Sequence, residues 1–216
     1  MKQTKTVKLV QTALLTALII LLAFVPGVGY IRLPFLAIQA TTVHIPVIVG
    51  SLILGPGPGA FLGAVFGLTS LINNTVSPGI TSFCFSPFVA MGEGLGGSPL
   101  ALIICFVPRI LCGVVPYYVS KWISGSSGEL NARRRVSFLA AGTAGSLTNT
   151  LLVMSMIYIF FGHEYAAAKS LAYEAVFGVV LSVVGINGTI EAVIAAIIAA
   201  AAASAILHIA AVKRKK

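Results

Sequence analysis

Residues 41–74 read TTVHIPVIVGSLILGPGPGAFLGAVFGLTSLINN. Two apolar runs are joined by Gly55-Pro56-Gly57-Pro58-Gly59, with Thr41, Thr42 and His44 at the start and Asn73, Asn74 and Thr75 at the finish. A tight turn makes the two runs antiparallel, so both polar groups come to the same side of a helical hairpin. In outline this is a binding mouth.

The rest of the chain sets the solvent for that hairpin. Of the 216 residues, 58% are hydrophobic and 9% are charged, with a mean hydropathy of +1.03. Such values lie far outside the range of a soluble domain and point to a polytopic membrane protein. The length suits about six spanning helices of roughly 20 residues with short loops, arranged as one integral domain over residues 1–216. The net charge of +9 could suggest nucleic acid, but the basic residues argue otherwise. Lys2, Lys5, Lys8, Lys121, Arg133, Arg134, Arg135, Lys213, Arg214, Lys215 and Lys216 all flank apolar runs, as the positive-inside rule has it. Eleven of the fourteen Lys and Arg residues thus fall on the inner side, Arg32 and Lys169 fall outside, and Arg109 lies within a span. The expectation is an all-α, integral membrane six-helix bundle with both termini cytoplasmic, embedded in a lipid bilayer and binding no nucleic acid.

Taken in order, the first helix covers about residues 7–24, with Ala13 and Ala17 four apart on one face. That spacing permits close helix approach, toward a partner subunit or within the bundle. The basic start and apolar core could pass for a signal peptide, but no small-x-small cleavage site precedes Pro26, which favours a retained helix. Residues 26–39 form an outer loop broken by Gly27, Gly29 and Pro34, with Tyr30, Arg32 and Phe35 able to touch a ligand. So apolar a loop folds back over the bundle, as a lid does. Helix two covers about 44–54, with Pro46 in its first turn, and helix three about 60–72, with Gly59, Gly63 and Gly67 set for tight contact. No Lys-Ser/Thr follows these glycines to make a nucleotide loop.

Residues 73–99, NNTVSPGITSFCFSPFVAMGEGLGGSP, are too polar and broken to span. The aromatics Phe83, Phe85 and Phe88 pack over a site or anchor the loop at the membrane interface. Helix four covers 100–123 with Pro108-Arg109 near its middle, and 125–135 is an inner loop ending in three arginines. Helix five covers 136–161 and contains GSLTNT at 145–150; residues 162–173 form the last outer loop, with His163, Glu164 and Lys169. Helix six, about 174–212, holds Asn187 and Glu191. Cys84, Cys105 and Cys112 are odd in number, and the last two lie too far apart on one helix to be bridged; all three read as structural.

Charges inside a bilayer cost several kcal/mol unless they face a cavity or partner, so Arg109 and Glu191 are candidates by default. Arg109 either meets a substrate carboxylate or phosphate through its planar guanidinium or pairs with Glu191 to hold helices four and six together. Asn149, flanked by Thr148 and Thr150, suits a ligand with amide and hydroxyl groups or an interhelical hydrogen bond, and the same choice holds for Asn187. Asn73, Asn74, His44 and Thr42 belong nearer the mouth. Chemistry is sparse: the sequence has no Asp, no His-Glu-x-x-His, no Gly-x-Ser-x-Gly and no Walker motif. Neither catalysis, metal nor cofactor is expected, and the chain does not itself hydrolyse ATP. Binding and translocation remain, as a carrier, a channel or one subunit of a larger machine.

HIPVIVGSLILGPGPGAFLGAVFG at 44–67 resembles the second and third helices of the substrate-binding subunits, or S components, of energy-coupling factor (ECF) vitamin transporters. PRILCGVV at 108–115 and GSLTNTLLV at 145–153 extend the likeness over most of the chain and look most like the pantothenate-specific members. The resemblance implies a six-helix bundle that binds a vitamin at its outer face and joins a transmembrane coupling subunit, EcfT, and two cytosolic ABC ATPases. It also implies that Ala13 and Ala17 match the family's docking motif, and that 26–39 and 73–99 match the outer loops that close over the ligand. Pantothenate carries a carboxylate, an amide and two hydroxyls, so Arg109 would take the carboxylate and Asn149 the amide or a hydroxyl. Alternatives are another vitamin or precursor, such as a hydroxymethylpyrimidine or riboflavin, a ligand-free membrane scaffold, and, weakest, an intramembrane hydrolase.

Overall fold

The computed structural model describes residues 5–25, 29–33, 38–90, 96–125 and 131–213. Helices account for nearly all of the described chain: α1 (Lys5–Phe24), α2 (His44–Leu54), α3 (Pro56–Val76), α4 (Leu100–Ser124), α5 (Ala132–Ala168), α6 (Tyr173–Val183) and α7 (Thr189–Lys213). Between α1 and α2, where a loop was expected, the chain is extended instead. There β1 (Tyr30–Leu33) and β2 (Ile38–Thr41) pair antiparallel, with Tyr30 opposite Thr41 and Leu33 opposite Ile38. Backbone polar groups taken out of water need hydrogen-bond partners, and the two strands supply them to each other. The side chains of Tyr30 and Arg32, and all of Phe35, lie outside the described residues.

The corner between α2 and α3 is tighter than the sequence suggested. Only Gly55 leaves the helical region, at φ 101°, a conformation that glycine adopts without a Cβ penalty. Pro56 then opens α3, where its missing N–H is one that a first turn leaves unpaired anyway. Residues 56–59 are therefore helix rather than turn, and Asn73 and Asn74 sit in the last helical turns of α3 rather than at the start of a loop.

Glycine at every fourth position lets α3 lie directly on α4. A Cβ at Gly59 would collide with the carbonyl of Gly113, one at Gly63 with that of Arg109, and one at Gly67 with that of Cys105. The spacing of four on both helices means that one groove holds the contact along its length, and it fixes the depth of Arg109 against α3.

α5 begins at an Asn131 cap, whose side chain accepts from the Arg134 amide at 2.9 Å. It bends at Phe161 (φ −135°, ψ 22°) but continues to Ala168. Residues 162–168, expected as loop, are thus helical, and the His163 ring stacks on Tyr173 at 3.9 Å. A widened, π-helical turn at Val184–Gly188 separates α6 from α7, and the two make one apolar stretch, Tyr173–Ile209.

Among the described residues, five stretches are long and apolar enough to cross a membrane, whereas α2 has 11 residues. At about 1.5 Å per residue α2 reaches roughly half the hydrocarbon thickness of a bilayer. Outward faces are apolar throughout, as at Leu14, Leu18, Phe61, Ile159, Leu181 and Ile197. With lipid as the solvent for those faces, the structure is that of a multi-pass membrane protein.

Candidate functional site

Pro108 removes the N–H that would bond the carbonyl of Ile104 four residues earlier. The guanidinium of the next residue supplies the replacement: Arg109 Nη1 donates to the Ile104 oxygen. The same guanidinium carbon lies 5.5 Å from the Phe66 ring centroid and 5.2 Å from that of Phe85, both within cation–π range. A proline and two aromatic faces therefore hold a buried cation in a defined orientation; Arg109 is only 6% exposed.

Arg109 lines a cavity of about 390 Å³ at the hairpin end of the bundle, a volume suited to a small polar molecule. α3 contributes Phe66, Ser70, Asn73 and Asn74, α5 contributes Asn149, and β2 contributes Thr41. The remaining wall comes from the segment after α3, through Ser77, Gly79, Thr81, Ser82 and Phe85. Among the described residues of the lining there is no carboxylate, and they combine the Arg109 cation with amides, hydroxyls and two aromatic rings.

The asparagines differ in what they can offer. Asn74 is committed to the fold: its Nδ2 donates to Ser70 O at 2.8 Å and its Oδ1 accepts from Ser82 Oγ at 2.7 Å. Ser82 Oγ in turn accepts from the Gly79 amide at 2.9 Å, and Thr75 Oγ1 meets Ser86 Oγ at 2.7 Å. These bonds stitch the segment after α3 down over the cavity. Asn149, 7% exposed, keeps its Oδ1 buried with no hydrogen-bond partner among the described residues. A buried polar atom of that kind costs free energy unless something supplies the missing partner, and here it borders an open cavity.

Of the seven substrate candidates, Arg109, Asn149, Asn73 and Asn74 line this cavity, while Thr42, His44 and Asn187 do not. His44 is buried at the start of α2. Thr42 Oγ1 donates to Gly29 O at 3.4 Å and its amide to the same oxygen at 2.9 Å, closing the base of the β-hairpin. Asn187 lies in the widened turn before α7. Ala13 and Ala17 are exposed on α1. Phe83 packs edge-on to Phe161 at 5.9 Å in the core, and Phe88 is 76% exposed, so of the three loop aromatics only Phe85 reaches the cavity.

Glu191 is not the partner of Arg109 that the sequence allowed. Its Oε1 accepts from the Thr41 amide at 2.7 Å and its Oε2 from Thr150 Oγ1 at 3.2 Å. Thr41, placed by the sequence at the mouth but not among the substrate candidates, lines the cavity, and Phe66 and Ser70 are lining residues that the sequence reading did not single out. Phe66, Ser70 and Asn73 recur at helical spacing on α3, a signal that ending the helix at residue 72 obscured.

Comparison with known proteins bears on this arrangement. The "Pantothenic acid transporter PanT" of Lactococcus lactis subsp. cremoris is 45% identical over 125 residues, 58% of this chain and 59% of that protein. The chain thus aligns with less than two thirds of that relative's length. The "Pantothenate transporter PanT" of Leuconostoc mesenteroides subsp. mesenteroides is 28% identical over 196 residues, 88% of this chain and 87% of that protein. The family profile described as "ECF transporter, substrate-specific component" matches residues 7–203. That match spans the β-hairpin and all the helices that line the cavity, and this chain belongs to the family of ECF transporter substrate-specific components.

Proposed function

We propose that this chain captures pantothenate at the outer face of a bacterial plasma membrane and presents it for uptake driven by ATP hydrolysis on other subunits. The two relatives carry pantothenate in their names, and the cavity chemistry suits that molecule. Its carboxylate is matched by the guanidinium of Arg109, and its amide and hydroxyls by Asn149, Asn73 and the serine and threonine hydroxyls of the lining. The observation that carries the reading is the pairing in one cavity of an oriented, buried Arg109 with the unpartnered Oδ1 of Asn149.

In this reading residues 1–216 form a single integral domain that crosses the membrane six times, α2 with its overlying hairpin making the short crossing. Both termini lie in the cytoplasm, where the basic residues gather, and the cavity opens outward. The partners are a transmembrane coupling subunit, EcfT, reached through the exposed Ala13 and Ala17 face of α1, and two cytosolic ABC ATPases. The chain itself catalyses no reaction and needs no cofactor.

Calorimetric titration of the purified chain in detergent with pantothenate, a hydroxymethylpyrimidine and riboflavin tests the substrate. Saturable heat with pantothenate alone supports the reading, and heat with either of the others in its place overturns it.

A further inference from the structure

Glu191 stands in the first turn of α7, directly after the widened turn Val184–Gly188, and is 6% exposed. Inserting one extra residue into a helix rotates everything beyond it by about 100°, so the widened turn helps decide which neighbours the carboxylate meets. It meets two. One oxygen takes the backbone amide of Thr41, the last residue of β2, and the other takes the hydroxyl of Thr150 on α5.

Neither Glu191 nor Thr150 lines the cavity, but both bonds lead to its wall. Thr41 is itself a lining residue, and Thr150 directly follows Asn149, another. One buried carboxylate thus ties the closing end of the hairpin to the helix that carries the unpartnered Asn149 Oδ1. The bond to Thr41 uses main chain, so it holds the strand in place whatever the side chains of the hairpin do. A charged acceptor makes such bonds about twice as strong as neutral ones, and losing it would leave a buried amide unpaired at a site bordered by lipid.

We propose that Glu191 is a positioning residue for ligand retention: by gripping the Thr41 amide and the Thr150 hydroxyl it keeps the end of β2 seated at the cavity wall and Asn149 aimed into the cavity. This rests on the binding-subunit reading above. The role is one of residence time, since Thr41, the residue gripped, is part of the cavity wall that a seated ligand would touch.

The test has two arms on the purified chain in lipid nanodiscs. Hydrogen exchange of the Thr41 amide measures the grip without any ligand, and the dissociation rate of radiolabelled pantothenate measures its consequence. Glu191→Ala is expected to speed both by about ten- to a hundredfold, the worth of one charge-assisted hydrogen bond. Glu191→Gln, which keeps an acceptor oxygen, is expected to restore most of the protection. Thr150→Val, which leaves the Thr41 bond intact, is expected to speed release with a smaller effect on Thr41 exchange. Unchanged exchange and release in folded Glu191→Ala overturn the proposal. Should that variant not fold, Thr150→Val releasing pantothenate at the wild-type rate overturns it equally. If wild type takes no pantothenate, the substrate assignment fails instead, and the exchange arm still decides whether the grip exists.

Discussion

The carbonyl of Arg109 lies where a Cβ on Gly63 would have to go. The residue that supplies the cavity's positive charge is therefore set against α3 by the absence of a side chain, and the depth of the charge depends on that closeness. Gly63→Ala is expected to push α3 from α4 and to lower the melting temperature in detergent, at a cost of about 1–3 kcal/mol for overpacking. Gly57→Ala is the matched control, since a Cβ there meets nothing within 4 Å. It is expected to leave the melting temperature unchanged or slightly raised; equal losses in the two variants would contradict the close-contact account.

The segment over the cavity hangs on Ser82. Ser82→Ala removes its hydrogen bonds with Asn74 and Gly79, each worth about 1 kcal/mol. Limited proteolysis within residues 77–90 is expected to accelerate severalfold in the ligand-free protein. Cleavage at the wild-type rate would mean that the segment is held by other contacts.

Asn149→Leu keeps approximate volume and deletes the amide. With the only change at that polar group, pantothenate affinity is expected to fall by about ten- to a hundredfold, as for a lost hydrogen bond in a buried site. Calorimetry on the variant reads this directly, and undiminished affinity would remove Asn149 from the ligand's contacts.

Cys84 lies in the short turn Ser82–Cys84 beside the cavity wall. Burial, with a smaller contribution from the negative charge of Glu164, pushes its thiol up to about 12. A protein that holds its proton more tightly when folded keeps that contribution at low pH and loses it as the pH rises from 9.0 toward 12. In a variant retaining Cys84 as its sole cysteine, maleimide labelling at pH 8 is expected to need denaturation. Rapid labelling of the folded protein would show the turn to be open.

Much of the architecture is legible in the sequence because lipid demands long apolar runs and makes every exception conspicuous. Arg109 stands out for that reason, as do Asn149 and Glu191. The glycine spacing announces a tight helix contact, but not which carbonyl each glycine meets. The start of α3 is harder to read, because Pro56 to Gly59 look like a turn until α4 is there to cover the glycines. With the helix ended at residue 72, Phe66 and Ser70 lose their visible relation to Asn73. Least legible is the bond between Glu191 and Thr41, which joins positions 150 apart through a backbone amide that any residue would supply.

Recognition of a carboxylate by Arg109 is open to a chemical cycle. Calorimetry would compare pantothenate with its alcohol analogue, in which CH₂OH replaces the carboxylate, on wild type and on Arg109→Gln. Wild type is expected to prefer pantothenate by about ten- to a hundredfold, the worth of a charge-assisted hydrogen bond, and Arg109→Gln to bind both compounds equally weakly. A preference for pantothenate that survives in Arg109→Gln, or its absence from wild type, would contradict the account.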